Sequence, residues 1–302
     1  MNWLILAFAG PVLWAASTHI DKYLVERYFK HSGVAILLIF TALIGLLMLP
    51  FILYLVPSVL DLAWKDMLVI ASSGVLYMTA MYFYLEALQT EEASVVAPFF
   101  QAGPLFAYAL AYVVLGEKLT TLQLLGGGLI VGGGLLLSLQ PGGGKQRYRL
   151  RLAVLMLSCA FILAVSSVIF KVFAIRDEFW STTFWTYLGE ALFGFWLLAL
   201  PAQRRQFAAL LRTNTSAVLG VNAANELINL GGGLSMRYAV LLAPLSLVQA
   251  IGSTTTLFVF IFGVLLTLFA PRLGREDMSR GNLLRKGAAT LLIVGGVFLI
   301  NH

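Results

Sequence analysis

The amino-acid sequence predicts an all-α integral membrane protein with ten transmembrane helices, built as two inverted five-helix repeats. Three observations carry this expectation. Of the residues, 60% are hydrophobic and 11% charged, with a mean hydropathy of +0.90. Ten long apolar runs follow one another, and a polar, glycine-rich break leaves five on each side. A water-soluble domain needs about 25% charged residues to cover its surface. Inside lipid every backbone N–H and C=O must be paired, which restricts spanning structures to helices and closed barrels. The runs are too long for barrel strands and lack their polar–apolar alternation. In a chain of 302 residues, ten spans of about 20 residues each leave short loops and one linker.

The spans are expected near residues 2–20, 33–55, 67–88, 93–115, 121–140, 151–173, 180–200, 216–238, 240–268 and 286–300. Met1-Asn2 supplies no basic n-region, and Lys22, Arg27 and Lys30 come only after the first run, so that run is expected to stay as a permanent helix. Pro98 and Pro104 are expected to kink the fourth helix, and Pro244 the ninth. Gly126, Gly127, Gly128, Gly132, Gly133 and Gly134 in the fifth allow close helix packing. Gly128 and Gly132 have small-xxx-small spacing, a contact that also fits a homodimer. The single Cys159 excludes an intramolecular disulfide or a thiolate metal site.

The stretch Pro141 to Arg149 breaks helices and is too polar for lipid. It divides the chain into a first repeat, residues 1–140, a linker, 141–150, and a second repeat, 151–302. Ala93-Ser94-Val95-Val96-Ala97-Pro98 is echoed by Ala239 to Pro244, and Leu129 to Gly133 by Leu292 to Gly296, in the same order. A repeat with an odd number of spans enters the membrane the opposite way on its second pass. Inverted repeats build secondary carriers, with the substrate near the bilayer midplane. Lys and Arg concentrate in the loops after odd-numbered spans, so the positive-inside rule places the linker and the Arg272–Lys286 loop in the cytoplasm and both termini outside.

A charged side chain at the bilayer centre costs about 2.5–3.5 kcal/mol on insertion scales, so it needs a bundle interior or a wet cavity. The eighth run holds Asn222, Asn225, Glu226 and Asn229 within an arc of roughly 100°. The seventh adds Glu190 with Tyr187 one turn earlier, and the ninth adds Gln249, Ser253 and Thr254. The first half supplies Trp14, Ser17, Thr18, His19, Tyr77, Thr79 and Gln101. Two readings compete: an interhelical hydrogen-bond seam, each bond worth about 0.6–2 kcal/mol, or a hydrated binding surface. Four clustered groups beside a second buried acid favour the binding surface. Glu190 alternatively pairs with Lys171 or Arg237, and His19 sits as an interface residue near Asp21 and Lys22. Gly231-Gly232-Gly233 weaken the eighth helix and are expected as a hinge or unwound segment.

The passage Ala80 to Leu88 followed by Ala93 and Pro98, then Leu115-Gly116-Glu117-Lys118-Leu119-Thr120 and the glycine-rich fifth helix, resembles the EamA-like branch of the drug/metabolite transporter superfamily. A weaker second copy surrounds Ala243-Pro244, where the ninth helix runs into an Arg-rich loop in place of a Gly-Glu turn. The resemblance implies export or exchange of small metabolites and, by family habit, both termini in the cytoplasm, opposite to the charge count.

The leading expectation is a secondary active transporter of a small polar metabolite such as an amino acid or amine, working by alternating access. Asn222, Asn225, Glu226, Asn229, Gln249, Tyr187, Gln101 and Trp14 would contact substrate, and Glu190 and Glu226 would couple to protons or bind an ammonium group. The alternative is a translocator or membrane partner for a lipid-linked or lipophilic substrate, with Trp14, Tyr82 and Tyr84 lining a groove. An intramembrane enzyme ranks lower. The chain has no His-Glu-x-x-His and no Gly-x-Ser-x-Gly, and its three histidines, His19, His31 and His302, lie near span ends or termini. No cofactor and no metal are expected. The net charge of +6 is scattered in loops, which fits orientation in a membrane better than nucleic acid. The expected surroundings are the lipids of a bacterial inner membrane, crossed many times.

Overall fold

Each apolar run folds as helix where the structure describes it, and no strand occurs among the described residues. The structure is a computed structural model that describes residues 3–27, 34–90, 97–138, 150–213, 215–269 and 280–300. The linker proper, residues 93–96 of the repeated motif, His31, His302 and most of the Arg272–Lys286 loop lie outside the described residues. The helices are α1 (Trp3–Arg27), α2 (Val34–Leu55), α3 (Trp64–Thr90), α4 (Gly103–Leu115), α5 (Thr121–Ser138), α6 (Leu150–Arg176) and α7 (Phe179–Ala199). They continue with α8 (Pro201–Thr213), α9 (Thr215–Leu242), α10 (Leu245–Gly252), α11 (Thr255–Phe269) and α12 (Arg280–Ile300). Short 3-10 turns at Pro57–Leu60 and Ala97–Ala102 lead into α3 and α4.

Among the described residues five stretches are long and apolar enough to cross a membrane: Trp3–Asp21, Ala35–Leu55, Trp64–Ala87, Arg151–Arg176 and Leu245–Phe269. A sixth forms if α7 and α8 count as one bent span. Large apolar side chains face outward: Leu47, Val113, Leu291 and Phe298 are each more than 60% exposed. Such a surface would be an association hazard in water and is the natural one in hydrocarbon. The protein is an integral, multi-pass membrane protein.

The principal helix contacts join the first half of the chain to the second. α1 packs along α9, α3 along α6 and α7, α2 along α7, and α5 along α12. Glycines set several of these crossings. A Cβ placed on Gly74 of α3 would overlap the Thr186 carbonyl of α7, and one on Gly189 would overlap the Ala71 carbonyl. Gly126 meets the Gly296 carbonyl of α12 in the same way, at 2.6 Å. In α5 the tight positions against α12 are therefore Gly126 and Gly133. A Cβ on Gly128 or Gly132, the small-xxx-small pair, would touch nothing within 4 Å.

Three expectations need correction. Pro104 and Pro244 do not kink helices. Each stands at a helix start, where a missing N–H costs nothing, and the ninth span breaks instead between Gly252 and Thr255. The segment after the seventh span is not a loop but α8, turned 95° from α7. Its Phe207, Leu210 and Leu211 pack on Ile36 and Phe40 of α2, and its arginines include the exposed Arg204 and Arg205. Gly231-Gly232-Gly233 are not unwound, because α9 runs unbroken through them. Gly232 instead admits α1: a Cβ there would lie 2.8 Å from the Trp14 indole nitrogen.

Candidate functional site

The polar stripe of α9 faces inward. Asn222, Asn225 and Glu226 are at most 7% exposed, and Asn229 is half-buried. Around them lie α1, which packs along α9, and α2, so the stripe meets polar groups from both. The Asn225 amide donates to Asp21 of α1 at 2.6 Å, and Ser17 reaches the same carboxylate at 3.5 Å. Thr41 of α2 donates to Glu226 at 3.1 Å. Two carboxylates, Asp21 and Glu226, thus share one buried polar cluster. Both side-chain atoms of Asn222 and the Asn225 Oδ1 have no hydrogen-bond partner there. A seam of interhelical glue would satisfy these atoms, since an idle buried polar group costs about 1–3 kcal/mol.

A second cluster lies farther along α9. Arg237 donates to Glu190 of α7 at 2.6 Å, so of the two cations weighed for that acid the structure supplies Arg237. The guanidinium stacks on Tyr187 at 4.6 Å and approaches Phe170 of α6 at 5.4 Å. α2 closes in through Gly45, whose missing Cβ would sit 3.6 Å from the Tyr187 ring and 3.8 Å from Glu190. Asn229 and Gly233 occupy the turns between the two clusters.

Lys171 goes elsewhere. Its Nζ lies 2.5 Å from Glu117 and donates to the Ala243 carbonyl at 2.6 Å, while the other Glu117 oxygen accepts the Leu245 N–H at 2.8 Å. The geometry starts with Gly116, which ends α4 in the left-handed region at φ 66° and turns Glu117 back across the bundle. Glu117 then caps α10, a favourable place for an anion. Lys171, Glu117 and the α9–α10 junction form a buried latch between the halves. Gly116→Ala is expected to lower stability by about 1–2 kcal/mol, the strain of a Cβ in this region, read as a drop in the denaturant midpoint.

The remaining candidates sit apart from these clusters. Gln249 donates to Ser167 of α6 at 3.1 Å. Gln101 is 4% exposed and packs on Gly134, its Oε1 without a partner. Trp14 wedges against Gly232, and His19 lies 3.0 Å from the Val259 carbonyl of α11. Sequence reasoning missed Asp21 as a site residue and treated Arg237 only as a neutralising partner. The signals were present: Asp21 is one turn after Ser17, and Arg237 lies on the same face of α9 as Glu226. Among the described residues the gaps between helices do not touch the acids. One, of about 530 Å³, is an open apolar groove lined by Phe83, Arg151, Val154, Leu155 and Ser158; the seam between α2 and α7 is too tight to admit water. Among the described residues no cluster of His, Cys, Asp and Glu fits a metal ion.

Residues 1–139 match the model of the EamA-like transporter family. A solved crystal structure of a protein aligns over 98% of this chain and 94% of its own length, with a TM-score of 0.66 at 18% identity. The two share a fold. No curated protein matches the chain.

Proposed function

For a chain whose residues 1–139 match the EamA-like transporter family, we propose a secondary carrier that moves a small polar metabolite by alternating access. The carrying observation is the unsatisfied polar interior: Glu226, Asn222, Asn225 and Asp21 lie together inside an apolar bundle with amide atoms left unpartnered. Such groups are tolerable in hydrocarbon when water or cargo reaches them in part of the working cycle. The packing also supports two inverted five-helix repeats. Exchanging the halves maps α1 on α9 into α6 on α3, and maps the α2–α7 and α5–α12 pairs onto themselves. An axis of this kind puts the exchange point among the acids, and the Lys171–Glu117 latch then closes one end of the path while cargo enters from the other. Glu226, with Asp21 beside it, is the group proposed to take a proton or a cargo ammonium. The uncovered Gly128 and Gly132 leave a homodimer contact as a proposal.

The test is uptake of labelled amino acids and amines by the purified protein in proteoliposomes, with and without a pH gradient. Glu226→Gln is expected to slow uptake about tenfold or more, the equivalent of one charge-assisted hydrogen bond of about 1.5–3 kcal/mol. Unchanged uptake and pH dependence in the Glu190→Gln, Glu226→Gln double variant would overturn the assignment. A second reading, movement of a lipid-linked substrate, draws on the open apolar groove with Arg151 in its lining. That groove is separate from the buried acids, and the polar-cargo reading explains more of the interior.

A further inference from the structure

Resting on the carrier reading, we infer that the cargo is a zwitterion with its charges a chain length apart, its anionic end received by Arg237 and its amine by the Glu226 cluster. Three features of α9 converge on this. Asn222, Glu226, Asn229, Gly233 and Arg237 fall on one face, at steps of three and four residues. Gly233 lies between the two charged poles, and a Cβ there would meet nothing within 4 Å, whereas its neighbour Gly232 is filled by Trp14. The stripe thus has a vacant notch between an acid and a guanidinium.

The two poles are unsatisfied in complementary ways. Arg237 donates through one terminal nitrogen to Glu190, and its Nη1 is shut from solvent with no acceptor. A guanidinium is a planar fork of donors, and its matching ligand is a carboxylate or phosphate. At the other pole the idle atoms are the Asn222 Oδ1 and Nδ2 and the Asn225 Oδ1, two acceptors to one donor, next to the acceptor-only Glu226 and Asp21 carboxylates. A surplus of acceptors calls for a donor-rich cation, and an ammonium group brings three N–H bonds. The cargo that answers both carries an anion at one end and an amine at the other.

Spacing sets the length. Glu226 and Arg237 are eleven positions apart, roughly 16 Å along the helix at 1.5 Å per residue. Both side chains lean toward the helix N-terminus, the longer Arg237 farther. After a hydrogen bond at each end, roughly 8–10 Å remains for the cargo. An α-amino acid, with both charges on one carbon, touches one pole at a time. A linear ω-amino acid or a short peptide touches both. The arriving anion satisfies Nη1 and competes with Glu190 for the guanidinium, so occupancy at the notch is felt on α7.

The experiment is calorimetric titration of the purified full-length protein with 6-aminohexanoate, glycine, hexanoate and hexylamine. The expected result is that 6-aminohexanoate binds at least tenfold more tightly than the other three. Gly233→Leu fills the notch with both poles intact and with a better helix former, and is expected to abolish binding at unchanged helicity. The Glu190→Gln, Arg237→Gln double variant keeps the buried pair neutral, so it folds, and is expected to bind 6-aminohexanoate no better than hexylamine. Equal binding of hexylamine and 6-aminohexanoate to the natural protein, or full binding in Gly233→Leu, overturns the inference. So does failure of 6-aminohexanoate to bind while proteoliposomes still take up another polar solute, a result that leaves the carrier reading standing. Absence of uptake for every amine and amino acid strikes the carrier reading itself.

Discussion

Lys171→Met is expected to lower the stability of the purified protein by about 3–5 kcal/mol, because it strands the Glu117 carboxylate in a buried site with its cation gone. Lys171 is 5% exposed, and its ammonium also serves the Ala243 carbonyl at the broken end of α9. One substitution therefore leaves an uncompensated acid and an orphaned carbonyl. Lys171→Met combined with Glu117→Gln is expected to recover most of the loss, since glutamine still accepts the Leu245 N–H and carries no charge. Unfolding in a graded mixture of detergent and denaturant gives all corners of the cycle. A single variant as stable as the parent, or a double variant no better than the single, would show that latch and stability are unconnected. If the latch also closes one end of the path, the double variant should transport faster at equal stability.

Gly189→Ala is expected to be comparably damaging, at about 1–3 kcal/mol or more. The added methyl meets the backbone carbonyl of Ala71, and no rotamer change can move a backbone. Relief requires α3 and α7 to separate, which also disturbs Thr186 and the hydrogen bond from Ser166 to the Ser73 carbonyl. Gly74→Ala should behave alike from the opposite side of the crossing. Gly128→Ala is the control. It faces open space, so the better helix propensity of alanine is expected to leave stability unchanged or raise it by up to about 1 kcal/mol. Thermal midpoints of the three variants decide whether close backbone approach, and not glycine content, holds this bundle together.

The helical membrane architecture was legible because long apolar runs leave the backbone one inexpensive solution, and the buried face of α9 because three amides and an acid repeat at helical spacing. What could not be read was partnership. Lys171 looked as available to Glu190 as Arg237 did, and only the left-handed turn at Gly116 explains why Glu117 claims it. α8 escaped notice because its arginines resemble a loop when hydropathy alone is scanned, although its apolar positions keep helical spacing. The triple glycine misled for a physical reason: weak intrinsic propensity was outweighed by the tight crossing with α1 that glycine permits.

The cross-half pairing of helices bears on how the chain is made. Since α1, α2, α3 and α5 each find their main neighbour beyond residue 150, most of the packing of these early helices can form only after the later ones have been made. Until then Asp21 and the glycine faces of α1, α3 and α5 lack the neighbours that cover them in the finished bundle. Synthesis, in such a molecule, is a vulnerable interval that the finished bundle conceals.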